Sequence, residues 1–244
     1  MIRVSVVTCL LLALGVLMSG CVGTQIDVAP PCASVRGLSQ DPDRTFRGQA
    51  VMVGNRLLTA GHTFAQEGND FPPNRIQLNN TVTEVRSPRH GDPETIRRLY
   101  HPDHAPTPAE LAQDWVAFEV EPRAALSVTP WLQGDGKTSP GEILYGVRMD
   151  TETGDPTYTV VPLKVVRPDS EELLSQGLIP VTSARGRNLK GWSGCFVGRF
   201  HQETQQWELT GILICSRQEE KGGSKSLHIV LRPPAEALEW LQGR

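Results

Sequence analysis

The stretch RGQAVMVGNRLLTAGH, residues 47–62, sets two short apolar runs on either side of Gly-Asn-Arg and ends on a histidine after three small residues. That is the pattern of two paired strands about a tight turn, with a titratable side chain at the strand end. Similar punctuation continues outward. RIQLNNTVTEVRSP (75–88) alternates strand and turn signals, and HPDHAPTPAELAQ (101–113) reads as a loop holding one helical turn. DWVAFEVEP (114–122) is an apolar strand opened by Asp114 and stopped by Pro122.

Residues 122–140, PRAALSVTPWLQGDGKTSP, have Pro and Gly at both ends and little periodicity, as a linker between two units does. Strands resume at EILYGVRM (142–149), TYTVVPLKVV (157–166) and LIPVTS (178–183), with a short helix over SEELLSQ (170–176) capped by Asp169. SGCFVGRF and WELTGILICS form two β-rich arms around the polar turn HQETQQ. The chain closes with a strand, SLHIVLR, and a helix, PPAEALEWLQ, whose prolines suit a first turn.

Composition agrees with an all-β reading. The 244 residues include 23 Gly and 19 Pro, enough punctuation for many short strands, and 39% are hydrophobic, enough for a sizeable core. A formal net charge of −3, with basic residues scattered, gives no field to gather phosphates, so nucleic acid is excluded as a partner.

The first twenty residues belong to targeting. Arg3 precedes the apolar run VSVVTCLLLALGVLMSG, which is too short for a stable membrane span and has the form of a signal peptide. LMSGC (17–21) resembles the bacterial lipobox, which implies cleavage before Cys21 and lipid on that cysteine. Val22 after it favours the outer over the inner membrane. Several acyl chains at roughly 0.8 kcal/mol per buried methylene anchor a domain durably. Residues 21–43, rich in Pro, Ser, Gly and Asp, then read as a tether with no regular element.

With Cys9 removed and Cys21 lipidated, three of the five cysteines remain in an oxidising setting. Cys195 and Cys215 lie on the two arms of one hairpin region and are the preferred pair, with Cys32 still open as a partner.

Three residues lie in suggestive local settings: His62, Asp114, and Ser193 in GWSGCF (191–196). A hydroxyl nucleophile needs an imidazole to take its proton and a carboxylate to fix the imidazole's tautomer and offset its charge. Glycine at 191 lets its own N–H and that of Ser193 converge on one point, as an oxyanion requires. LLTAGH, DWVAFEV and GWSGCF, spaced by 52 and 79 residues, resemble the histidine, aspartate and serine motifs of the chymotrypsin-like serine proteases.

That resemblance implies two six-stranded antiparallel β-barrels with the site between them and a short C-terminal helix. The first barrel would span 44–125, and 126–244 would hold the linker, second barrel and helix. It further implies a membrane-anchored endopeptidase acting on polypeptides through His62, Asp114 and Ser193, with the Gly191 and Ser193 amides as oxyanion hole and no cofactor.

There are departures. Trp192 replaces an aspartate that in many members pairs with a freed N-terminus, so activation by N-terminal cleavage is not expected. Cys195 and Phe196 replace Gly-Pro, and Ile214 stands where a serine often supports the aspartate. The resemblance places Arg187, six residues before Ser193, at the base of the primary pocket, where it would favour an acidic side chain; a solvated arginine is the alternative.

Other readings use the same residues differently. HPDH with His90 lacks the spacing of a helix-borne metal site. An α/β-hydrolase would need Ser, acid, His in that order; no Asp follows Ser193, although Glu208 and His228 could formally serve. Its elbow also needs glycine where Cys195 stands. A catalytically silent protease-like lipoprotein, acting as a binding module or adhesin, is the remaining alternative.

Overall fold

The computed structural model describes residues 31–38, 47–65, 70–99, 101, 103–122, 131–151, 157–168, 170–183, 189–218 and 226–243. Six strands form the first half: β1 (Cys32–Gly37), β2 (Arg47–Val53), β3 (Arg56–Thr59), β4 (Arg75–Leu78), β5 (Thr81–His90) and β6 (Val116–Val120). They close into a barrel in the order β1-β2-β3-β6-β5-β4, every neighbouring pair antiparallel.

Six more strands, β8 (Ile143–Asp150), β9 (Thr157–Val165), β10 (Leu178–Ser183), β11 (Phe196–His201), β12 (Gln206–Gln218) and β13 (Ser226–Leu231), follow the short β7 (Trp131–Gln133). Their antiparallel pairings run β11-β8-β9-β10-β13-β12 and return to β11, so this sheet also closes on itself. Strand β7 joins β12 from outside as a parallel neighbour. Full closure leaves neither barrel with a long open edge.

Side-chain alternation explains which residues face inward. Along β9, Val161, Leu163 and Val165 are buried while Pro162 and Lys164 are exposed, the period of two that a half-buried strand requires. Strand β2 is different: six of its seven residues, from Gly48 to Val53, are buried or nearly so. It lies against the second barrel, and Gln49 reaches across to Met149 on β8.

Among the described residues there are also four α-helices: α1 (Pro93–Arg98), α2 (Pro108–Leu111), α3 (Glu171–Ser175) and α4 (Ala235–Leu241). The last of these turns back onto the first barrel. Ala237, Leu238, Trp240 and Leu241 are buried in the same core as Leu57, Phe118 and Val120. Arg56 on β3 donates to the Trp240 carbonyl at 2.7 Å and lies 5.2 Å from the centre of its ring.

The structure corrects several sequence expectations. Residues 32–37, assigned to a tether, form β1, so the first barrel begins twelve residues before the expected boundary at 44. Two prolines and a run too short to show a period hide the strand in the sequence; it is held by pairing to β2 and β4. The linker contains β7. Helix α1 was not expected, although Asp92 caps it by accepting from the Thr95 N–H at 2.8 Å and Pro93 opens it. Helix α3 has Ser170 as its N-cap, with no side-chain cap bond; Asp169 lies outside the described residues.

The disulfide is also corrected. Cys195 is a free, buried thiol, as is Cys32. The Cys195 carbonyl accepts from the Leu213 N–H at 3.2 Å, so Leu213 and not Cys215 stands opposite it. Its side chain packs among Leu144, Val161, Leu163, Leu213 and Val230. Burial pushes the Cys195 thiol up to about 12, which disfavours the thiolate that disulfide exchange needs.

Candidate active site

His62 sits in a 3-10 turn, Gly61–Thr63, that follows β3 through Ala60. Asp114 stands between α2 and β6, at the end of a compact loop. Its own N–H donates to the Leu111 carbonyl at 3.1 Å, and Trp115 N–H donates to the Gln113 carbonyl at 2.8 Å. A capping box fixes the start of α2: Glu110 accepts from the Thr107 N–H at 2.9 Å and donates its own N–H to Thr107 Oγ1 at 3.3 Å. The Thr107 backbone N–H, then its hydroxyl and Arg98, hold the Glu110 carboxyl down to about 2.

The Asp114 carboxylate is fully buried. Its Oδ1 accepts the backbone N–H of His62 at 2.8 Å, and its Oδ2 lies 2.7 Å from His62 Nδ1. An ionised carboxylate can only accept, so Nδ1 carries the proton and Nε2 presents a lone pair. Nε2 faces Ser193 Oγ at 2.9 Å, within hydrogen-bond distance. The three residues expected from the sequence are therefore one connected chain, with the imidazole side chain only 14% exposed.

Ser193 belongs to the loop that leads into β11. Trp192 N–H donates to the Leu189 carbonyl at 3.1 Å, closing a four-residue turn. Within it, Gly191 has φ +79° while Lys190 is not in the positive range. A positive φ at the third position alone defines a type II turn, which glycine accommodates without strain. Among the described residues, neither the Gly191 nor the Ser193 N–H has an acceptor.

Two further contacts pin the loop. Gly194, at φ +80°, donates to the Leu213 carbonyl at 2.7 Å, and a Cβ there would stand 2.1 Å from the Gln49 carbonyl oxygen. The indole of Trp192, 5% exposed, is packed into the second-barrel core beside Leu189, Leu163 and Cys195.

Gln49 was missed by the sequence reading. The signal was a lone amide in the apolar run GQAVMV. Arg187 and Cys21 lie outside the described residues, and only the backbone of Cys215 is described, as part of β12. Ile214 is buried. His101 and His104 lie in the loop before α2, and His90 ends β5, its Nδ1 2.8 Å from the Gly91 carbonyl.

No family model matches the chain, and no curated protein matches it. Solved structures do. The tobacco etch virus protease, solved in complex with product, superposes with a TM-score of 0.55 at 12% identity, over 88% of this chain and 77% of that one. The tobacco vein mottling virus protease gives 0.53 at 9%, over 88% and 82%. A serine endoprotease from Yersinia pestis gives 0.52 at 16%, over 88% of this chain and 63% of its own. The chain thus has the chymotrypsin-type two-barrel fold that these proteases share.

Proposed function

We propose that the chain is a serine endopeptidase. The observation that carries this reading is the continuous line from buried Asp114 through His62 to Ser193 Oγ, at 2.7 and 2.9 Å. Ser193 Oγ attacks the scissile carbonyl carbon as His62 Nε2 takes its proton, and Asp114 offsets the charge on the imidazolium. The tetrahedral oxyanion accepts from the Gly191 and Ser193 amides, which have no acceptor among the described residues. Collapse breaks the C–N bond, His62 protonates the departing amine, and an acyl-Ser193 ester remains. Water then attacks that ester with His62 as base, releasing the carboxylate product and regenerating Ser193.

Trp192 supports a loop that needs no freed N-terminus, because apolar packing occupies the place of an ion pair. Lipid on Cys21 would hold the barrels close to a membrane of the bacterial envelope: ten residues separate it from β1, a span of at most about 40 Å. Arg187 in the primary pocket would select acidic residues, which cleavage of a peptide library would reveal as Asp or Glu enrichment before the scissile bond.

The test is fluorophosphonate treatment of the full chain in detergent, read by intact mass and peptide mapping beside Ser193→Ala and His62→Ala. An adduct on Ser193 that requires His62 is the expected result. A folded chain that takes no adduct would instead favour the silent binding module. Loss of membrane association in Cys21→Ser tests the anchor.

A further inference from the structure

Ser193 comes from the second barrel, while His62 and Asp114 come from the first. The 2.9 Å between Oγ and Nε2 is therefore set by the register of one barrel against the other. Misplacement of reacting groups by about 1 Å costs on the order of a hundredfold in rate. Something must fix that register beside the nucleophile.

Gln49 is 3% exposed, lies on β2, and uses four polar groups at the junction. Its backbone N–H donates to the Ser193 carbonyl at 2.7 Å. Its backbone carbonyl accepts from Thr59 Oγ1 at 2.6 Å. Its side-chain Nε2 donates to the Met149 carbonyl at 3.1 Å, and its Oε1 accepts the Met149 N–H at 2.8 Å.

The two ladders on either side explain the arrangement. Strand β3 pairs with β2 only as far as Thr59 opposite Ala50, so at Gln49 the backbone donor is left to the nucleophile loop. Strand β11 pairs with β8 only through Phe196 opposite Val147, because the chain leaves the sheet at Cys195 to present Ser193. Met149, beyond that point on β8, would expose an unpaired N–H and C=O. The Gln49 carboxamide supplies one donor and one acceptor, as a missing strand residue would.

We propose that Gln49 is a positioning residue for the Ser193–His62 pair, locking β2, β8 and the nucleophile loop into one register; the proposal rests on the serine-protease reading above. A packing role alone would be served by any side chain of the same length. A positioning role needs the donor and acceptor together.

The test compares full-length wild type with Gln49→Met, which keeps length and loses both hydrogen bonds, and with Gln49→Glu. Folding is checked by near-ultraviolet circular dichroism. The probe is a fluorophosphonate, titrated to separate its reversible binding constant from its rate of bond formation to Ser193. Gln49→Met is expected to react at least tenfold more slowly with a binding constant changed less than twofold.

Gln49→Glu adds a signature that packing does not produce. A neutral carboxyl presents the same donor and acceptor as the amide, whereas a carboxylate faces the Met149 carbonyl with no proton. Its rate relative to wild type should therefore rise as pH falls from 8.5 to 6.5. Wild-type rates for Gln49→Met, or a Gln49→Glu ratio that stays flat at the Gln49→Met level, would overturn the proposal. So would loss of the fold in both variants, which would assign Gln49 to barrel assembly. A wild-type chain that takes no label would sink the protease reading instead.

Discussion

The two barrels hold their parts of the site by different physics. The first presents His62 and Asp114 through charge-assisted hydrogen bonds to a carboxylate from which water is excluded. The second presents Ser193 on a turn whose anchor is an apolar indole. The acid–base half depends on one ionised group, so it should fail chemically while remaining folded. The nucleophile half depends on packing, so it should fail together with its barrel.

The largest expected effect tests the first of these statements. Asp114→Asn replaces an acceptor that selects the Nδ1–H tautomer by a group that can donate, so labelling of Ser193 should fall by about 10⁴-fold with little change in melting temperature. A loss below tenfold would mean that the buried carboxylate does not orient His62.

Trp192→Ala probes the other half. Removing the buried indole should cost about 3–5 kcal/mol of stability and abolish labelling at the same time, because the Gly191 turn loses its support. A variant that lost labelling at an unchanged melting temperature would erase the contrast between the halves.

A third effect separates the barrels by pH. Burial pushes the imidazole of His228 on β13 down to about 4, with its Nε2 3.3 Å from Ser183 Oγ. The native state thus binds fewer protons than the unfolded chain, whose imidazole titrates near 6.5. The stability this contributes is present above about pH 6.5 and is lost as pH falls toward 4, by on the order of 3 kcal/mol. His228→Asn should flatten denaturant midpoints over that window, whatever it does to stability at neutral pH.

The smallest effect concerns the join. Arg56 donates to the Trp240 carbonyl and pairs with Glu119 at 3.1 Å, both partly exposed. Arg56→Ala should lower stability by about 1–2 kcal/mol, with labelling unchanged in the folded fraction. A change in labelling rate would show that the join reaches the site.

The legible parts of the sequence were those where a local pattern carries its own physics. Strand alternation and Gly-Asn punctuation give the barrels away, and small residues before His62 and around Ser193 signal tight turns. Strand β1 was illegible because its partners, not its own period, make it a strand. The Cys195–Cys215 expectation failed because hairpin arms do not reveal register. Gln49 stood in plain view as a lone amide in an apolar strand, but its partners Ser193 and Met149 lie 144 and 100 residues away, and only the closed barrels bring them together.

Helix α4 has a consequence for the timing of synthesis. Its buried side chains belong to the core that also holds Leu57 and Phe118, so the earlier barrel is completed only by residues made after every strand of the later one. Until Trp240 and Leu241 arrive, that barrel keeps an open apolar face beneath Arg56, and the carboxylate–imidazole pair rests on an unfinished support. A chain interrupted between β13 and Trp240 would hold every residue of the site and still lack the wedge that sets the barrel around it.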